Sequence, residues 1–391
     1  MKDFQITLLN LIKSALTGVK TEISENIEWE KVLLLAKTHK VIMLVYYGLY
    51  NSNITVPDHI FSDLSMHALK MAGADTKQEY EIQTLLNILD KSGIEYLPLK
   101  GMILKELYPK SEMRYMSDID LLIKTEQYEN LSKVMTDAGF DFVVESDHEY
   151  VWHKGVLHVE FHKHLIPSYN KDYFAYYNNG WKLAKKNSDN KYYLSDEDFF
   201  IYMFTHLAKH YRDSGIGIKH FVDIWVYLKE KKELDIKYIE KELNNLQLLD
   251  FYKNSLKMLD VWFSDGQKND VTELMTEWIF SSGAFGTREK KDFSNALKKT
   301  KDINTADNIK KKLYTDTIFP SLSIMKRRYS ILNKAPFLLP IFWVLRILNA
   351  LFCKPQRIKQ QKEKLNKLSK DNINEFETLL KTVGLEFNFK E

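Results

Sequence analysis

The stretch from Lys100 to Ile123 constrains the chain more than any other, because its periodicity and its chemistry point the same way. Its last seven residues, Ser117 to Ile123, follow a strand period, so Asp118 and Asp120 leave one face while Ile119 and Leu121 leave the other. Two carboxylates on one patch repel, and one is driven neutral unless a cation sits between them. A divalent metal is the natural cation. Just upstream, Ile94, Tyr96, Pro98 and Leu99 predict a short apolar strand that stops at Lys100-Gly101. One or two helical turns should follow, from Met102 to Tyr108. A strand that passes into a helix at a glycine gathers free backbone N–H groups and the helix's positive end at one spot, where phosphate binds well.

A second cluster of titratable residues lies further on. The segment Val156 to His164 reads Val-Leu-His-Val-Glu-Phe-His-Lys-His, and its period puts His158, Glu160 and His162 on one face with Val159 and Phe161 on the other. The polar outer face of an antiparallel hairpin would give the same pattern. Three titratable groups opposite two large apolar ones favour a functional reading. Beyond them, His206 and His210 stand four apart on a helix that begins near Ser195, and so project from one side. No glutamate follows His206, so the zinc-protease pattern His-Glu-x-x-His is absent, and packed or surface histidines are the commoner outcome at this spacing. No Gly-rich Walker loop, dinucleotide fingerprint or catalytic-cysteine pattern occurs.

The order strand, Lys-Gly turn, short helix and second strand carrying Asp-x-Asp resembles the nucleotidyltransferase superfamily that includes DNA polymerase beta. Within it, the chain resembles a bacterial family bearing a Lys-Gly turn and an Arg-x-Met-x-Asp-Ile-Asp strand, here Arg114 to Asp120. The resemblance implies an α+β fold: a small mixed β-sheet flanked by N-terminal helices and a larger C-terminal helical region. It implies Asp118, Asp120 and Glu160 as catalytic carboxylates that hold two magnesium ions, or manganese, roughly 3.5 to 4 Å apart in the usual two-metal arrangement. Lys100, Gly101, Arg114 and Ser117 become the nucleotide-binding residues. In the nearer family the later strand ends in an acid, one residue and a histidine, which Glu160-Phe161-His162 reproduces. That family also shows a His-x3-His helix followed by a Gly-Ile segment leading to an aspartate, with a basic residue shortly before it. His162, His206, His210 and Asp223 are carried over as second-rank candidates, and Lys219 with His220 stands where arginine is common.

Two departures accompany the likeness. Most superfamily members carry serine after the glycine, whereas Met102 offers no hydroxyl, and Lys100 is expected to substitute. The distance from Gly101 to Asp118 is longer than usual, leaving room for an inserted loop around Pro109 to Glu112. The activity implied is transfer of a nucleoside monophosphate from a nucleoside triphosphate to a hydroxyl-bearing acceptor, which could be a small molecule, a peptide or RNA. The rival reading is a nucleotidyltransferase-like module that has lost catalysis and binds or scaffolds at the membrane surface.

Composition narrows the remaining choices. A net charge of +3 from 56 basic and 53 acidic groups commits the chain to no polyanionic partner. The single cysteine, Cys353, permits no internal disulfide, and the first 17 residues do not match a signal peptide, so a cytoplasmic location is expected. Apolar residues at helical spacing predict helices over most of 1–93, which should cover one side of a sheet of strands 94–99, 117–123, 140–145, 149–153 and 156–163. His39 and His67 in this region are expected to be packing or surface residues. A mainly helical domain is expected over 167–391, following the nucleotidyltransferase core at 94–166. Within it, the lysine-rich stretch Gly283 to Lys312 reads as a solvated, mobile excursion. The apolar stretch 335–353 approaches the ~20 residues of a membrane span. Its prolines, Arg346 and Asn349, and basic flanks at Lys326–Arg328 and Arg357–Lys364, suit better a helix packed on the core or, in the rival reading, one making peripheral membrane contact.

Overall fold

The computed structural model describes residues 1–24, 26–300, 315, 318–353 and 370–386. All five expected strands form: β1 (Tyr96–Pro98), β2 (Ile119–Ile123), β3 (Asp141–Glu145), β4 (Glu149–Lys154) and β5 (Leu157–His162). They make one mixed sheet in the order β1-β2-β5-β4-β3. Only the β2–β5 pair is parallel; the other three neighbouring pairs are antiparallel. The α+β class follows directly.

Helices α1 (Asp3–Thr17), α2 (Trp29–Thr38), α3 (Ile42–Ser52) and α4 (Asp58–Lys91) precede the sheet. Helix α4 runs unbroken through Gly73 for 34 residues. A lone glycine in a helix interior costs only about 1 kcal/mol relative to alanine, and α4 has packing to set against it. Ile82, Leu85, Leu86 and Leu89 of α4 pack with Ile119, Leu121, Ile123, Val159 and Phe161 in one buried cluster, joined by Leu131 and Met135 of α6 (Tyr128–Asp137). This apolar layer takes the odd-numbered residues of β2 and β5, so the strand period sends Asp120, Glu160 and His162 to the opposite face.

The connection between β1 and β2 is tied down along its length. It starts with α5 (Gly101–Lys105), five residues long. Lys105 pairs with Asp75 of α4, whose other oxygen accepts from Ser111 Oγ at 2.6 Å. The Tyr47 hydroxyl donates to Glu112 at 2.7 Å, and Gln78 donates to the Met116 carbonyl at 3.3 Å. The extra residues around Pro109 therefore have partners on α3 and α4. His39 is fully buried, its Nδ1 accepting the Ile218 N–H at 3.2 Å, as a packing histidine should.

The chain divides into two compact units. The first comprises residues 1–211, 215–286 and 383–391, and the second 212–214 and 287–382. The first unit thus holds, besides the sheet, α7 (Lys171–Tyr177), nearly all of α8 (Asp196–Asp213), α9 (Ile218–Glu230), α10 (Ile236–Asn245), α11 (Leu249–Phe263) and α12 (Asp270–Phe280). Ser195 opens α8 by accepting the Asp198 N–H at 3.2 Å. Buried aromatic side chains, among them Phe200, Phe204, Phe221, Phe251 and Tyr252, pack these helices together.

In the second unit the stretch expected to be a solvated excursion forms, in its described part, a helix from Arg288 to Thr300 with Ser294 and Leu297 buried. Residues 301–312 lie outside the described residues, as does the basic flank Arg357–Lys364. The apolar stretch forms a helix from Leu339 to Cys353, with Trp343 donating to the Pro320 carbonyl at 2.9 Å. Its placement as a core helix is corrected: Ile341, Val344, Leu345 and Leu348 are exposed, and Phe337 just before it is 79% exposed. No helix among the described residues is long and apolar enough to cross a membrane.

Candidate active site

The parallel pairing of β2 with β5 sets Asp120 directly opposite Glu160, with Ile119 opposite Val159 and Leu122 opposite His162. Asp118 precedes β2 by one residue. The sheet thereby brings together acids that stand about forty positions apart in the chain. Ligating atoms of Asp118, His158 and Glu160 lie within 4.8 Å of one another, as do those of Asp120, Glu160 and His162.

Asp120 is the most heavily partnered of the three acids. Its Oδ1 accepts from Lys100 Nζ at 2.8 Å and lies 2.7 Å from His162 Nε2. Burial alone would raise this carboxyl, but the Lys100 charge and the His162 contact outweigh it and hold Asp120 well below the usual range. Glu160 goes the other way. Burial first, then the charges of Asp120 and Glu149, push it up to about 8. Asp118 is half-buried and accepts a hydrogen bond from Ser117 Oγ at 2.8 Å; it makes no ion pair among the described residues. Carboxylates that converge so closely, one of them driven toward its neutral form by burial and by its neighbours, are a donor set that suits a hard divalent cation. Glu160 joins Asp118 and His158 in one set and Asp120 and His162 in the other, and each set fits such an ion.

Lys100 owes its position to unusual backbone. Its φ of 44° and ψ of −108° lie where side chains other than glycine are rarely found. The turn carries the ammonium to Asp120, while Met102, the residue at the usual serine position, packs against the hydrophobic core. A Cβ on Gly101 would come within 2.7 Å of the Met116 sulfur and 3.2 Å of Arg114 Nη1, so the glycine lets the turn lie close against the segment before β2.

Arg114 is placed differently from the expectation that it would meet the triphosphate. Its Nε and Nη2 donate to the two oxygens of Asp223 at 3.1 and 2.8 Å, and Nη1 donates to the Tyr115 carbonyl at 2.9 Å. Both residues are buried, and the Tyr108 hydroxyl also donates to Asp223 at 2.7 Å. Arg114 and Asp223 are a matched pair that ties α9 to the chain entering β2.

His206 and His210 face each other on α8, with their Nε2 atoms 3.1 Å apart. Burial and the nearby Lys100 hold His206 well below its ordinary pKa. One turn earlier stands Tyr202, a site residue that reading the sequence did not single out. Tyr202 is fully buried, its hydroxyl has no hydrogen-bond partner among the described residues, and the charges of Lys100, Asp120 and Glu160 act on it. The spacing Tyr202-x3-His206-x3-His210 was the available signal, since residues four apart share a helix side. His148 and Glu149 were also missed. Glu149 pairs with His162 across β4 and β5, and His148 Nε2 lies 3.0 Å from His162 Nδ1. Only the hairpin register could have announced them.

A family model described as an uncharacterised nucleotidyltransferase matches residues 25–264. No curated protein matches the chain. Among solved structures, the solution structure of antibiotic-resistance factor ANT(2'')-Ia is similar at 14% identity over 48% of this chain and 97% of that one, with a TM-score of 0.33.

Proposed function

Since the chain belongs to this family of uncharacterised nucleotidyltransferases, we propose that it moves a nucleoside monophosphate from a nucleoside triphosphate to a hydroxyl-bearing acceptor in a magnesium-dependent reaction. The observation that carries the reading is the parallel register of Asp120 and Glu160, which sets their carboxylates beside Asp118 on the face away from the apolar layer. Asp118, Asp120 and Glu160 would hold the divalent ions, magnesium or manganese, and bound ions of this kind stabilise charge on a transferring phosphoryl group and acidify an attacking hydroxyl. The protein's own groups do the positioning. Ser117 orients Asp118 through its hydroxyl, and Lys100 and His162 keep Asp120 ionised and fixed.

Incubation with each labelled triphosphate, magnesium and a cell extract, followed by mass analysis of whatever gains the nucleotide, tests activity and acceptor class together. Transfer should disappear with EDTA and in an Asp118→Asn, Asp120→Asn double variant whose circular dichroism is unchanged. A double variant as active as the unaltered protein ends this reading.

The exposed apolar side chains of the second unit, Phe337, Ile341, Val344, Leu345 and Leu348, favour a second reading in which the protein attaches to a membrane surface, with or without catalysis. Fractionation of cells into soluble and membrane material distinguishes them. Recovery wholly in the soluble fraction, unchanged when Phe337 and Ile341 are made serine, counts against attachment.

A further inference from the structure

Three cations of the first unit have a carboxylate partner. Lys105 is paired with Asp75, Arg114 with Asp223 and the half-buried Lys100 with Asp120. Lys219, only 6% exposed, makes no ion pair among the described residues. Its ammonium reaches one backbone carbonyl, that of Tyr115, at 3.4 Å. Taking an ammonium out of water without a counter-charge is destabilising, so such a group is a standing demand for an anion.

The surroundings say which anion. Lys219 lies over the Tyr115 ring, 5.9 Å from its centroid, and Lys40 lies over the same ring at 5.4 Å. Lys40 makes no ion pair among the described residues either. Two ammonium groups that share one aromatic ring, neither with an ion-pair partner among the described residues, call for a ligand carrying more than one negative charge. Tyr115 stands three residues before Asp118. Lys219 meets the Tyr115 carbonyl and lies over the Tyr115 ring, beside the chain that enters β2. Lys219 also stands in the first turn of α9, thirteen residues long, whose positive end adds to the local field. Arg114, the cation nearest in sequence to the acids, has its charge matched by Asp223 and leaves this work undone.

We propose that Lys219, with Lys40 across the Tyr115 ring, forms the subsite that receives the polyphosphate of the nucleoside triphosphate. This deepens the nucleotidyl-transfer reading and rests on it for the identity of the ligand. A polyphosphate bound there would lie beside the carboxylates, with its charge met by the two ammonium groups rather than by Arg114.

The test is calorimetric titration of the full chain with inorganic tripolyphosphate, with magnesium and again with EDTA, then with each of the four common nucleoside triphosphates. A hydrogen bond to a charged group is worth enough that Lys219→Met should weaken tripolyphosphate binding roughly 10- to 100-fold. Lys219→Arg should keep most of the affinity, and Lys40→Met should lose less than Lys219→Met. The loss should persist in EDTA, since the ammonium acts without metal. Removing an unmatched buried charge should raise the melting temperature of Lys219→Met, and Lys219→Gln serves as a second variant if the methionine fails to fold.

Binding by Lys219→Met equal to that of the unaltered protein overturns the proposal, and so does an unaltered protein that takes up no tripolyphosphate. The two readings fail separately. Lysine-dependent tripolyphosphate binding without transfer to any acceptor removes the enzymatic reading and leaves the anion subsite. Transfer with an unchanged triphosphate KM in Lys219→Met removes the subsite and leaves the enzyme.

Discussion

Arg114 and Lys219 lie in the same neighbourhood and answer opposite electrostatic problems. The Arg114–Asp223 pair is bidentate and buried, so removing one partner strands the other charge. Arg114→Met should cost about 3–5 kcal/mol in denaturant unfolding, the usual penalty for breaking a buried pair. A cost below 1 kcal/mol would show that Asp223 finds another partner. Lys219 has the reverse sign. Burial, then Arg114, pushes its ammonium down to about 7, against the pull of Asp223, Asp118 and Asp120; its ordinary value is 10.5. Between those two values the unfolded chain holds a proton that the folded chain has released, so this group makes stability rise with pH. Its penalty is complete below about pH 7 and fades toward 10.5. Lys219→Met should therefore raise the melting temperature most near pH 6, with a gain that shrinks steadily by about pH 9.5. A gain that stays flat across that range would contradict the assignment. Lys100 shows a third solution: backbone at positive φ, which costs about 1–3 kcal/mol, is held where the ammonium meets Asp120.

At the scale of elements, the β2–β5 pair does two jobs through one alternation. Its inward residues, Ile119, Leu121, Val159 and Phe161, are fully buried against α4 and α6, while its outward residues carry the acids. Because the side-chain period is two, a slip of one residue in either strand would send that strand's acids into the core, and the apolar layer thus secures the site's geometry. Phe161→Ala should cost about 3–5 kcal/mol through the cavity it leaves, measured by denaturant unfolding. It should also loosen Asp120 and Glu160, seen as weaker magnesium-dependent triphosphate binding. This much was legible in advance, since the period of each strand is a local property and all five strands were read with small errors at their ends.

Across the whole molecule, the site residues belong to the first unit, and the exposed apolar helix belongs to the second. The amino-acid sequence by itself determined the α+β class, the strands, and which side chains leave each strand together, because propensity and period depend on neighbours a few residues away. It did not disclose that Arg114 would be matched by an aspartate 109 residues later. Nor did it disclose that Tyr202 would come to the acids with a partnerless hydroxyl, or that Lys219 would be buried without a counter-charge. Those facts belong to the tertiary structure alone. Whether a charge is matched or left wanting depends on which distant segments meet, and that is decided by packing across the chain rather than by any pattern within it.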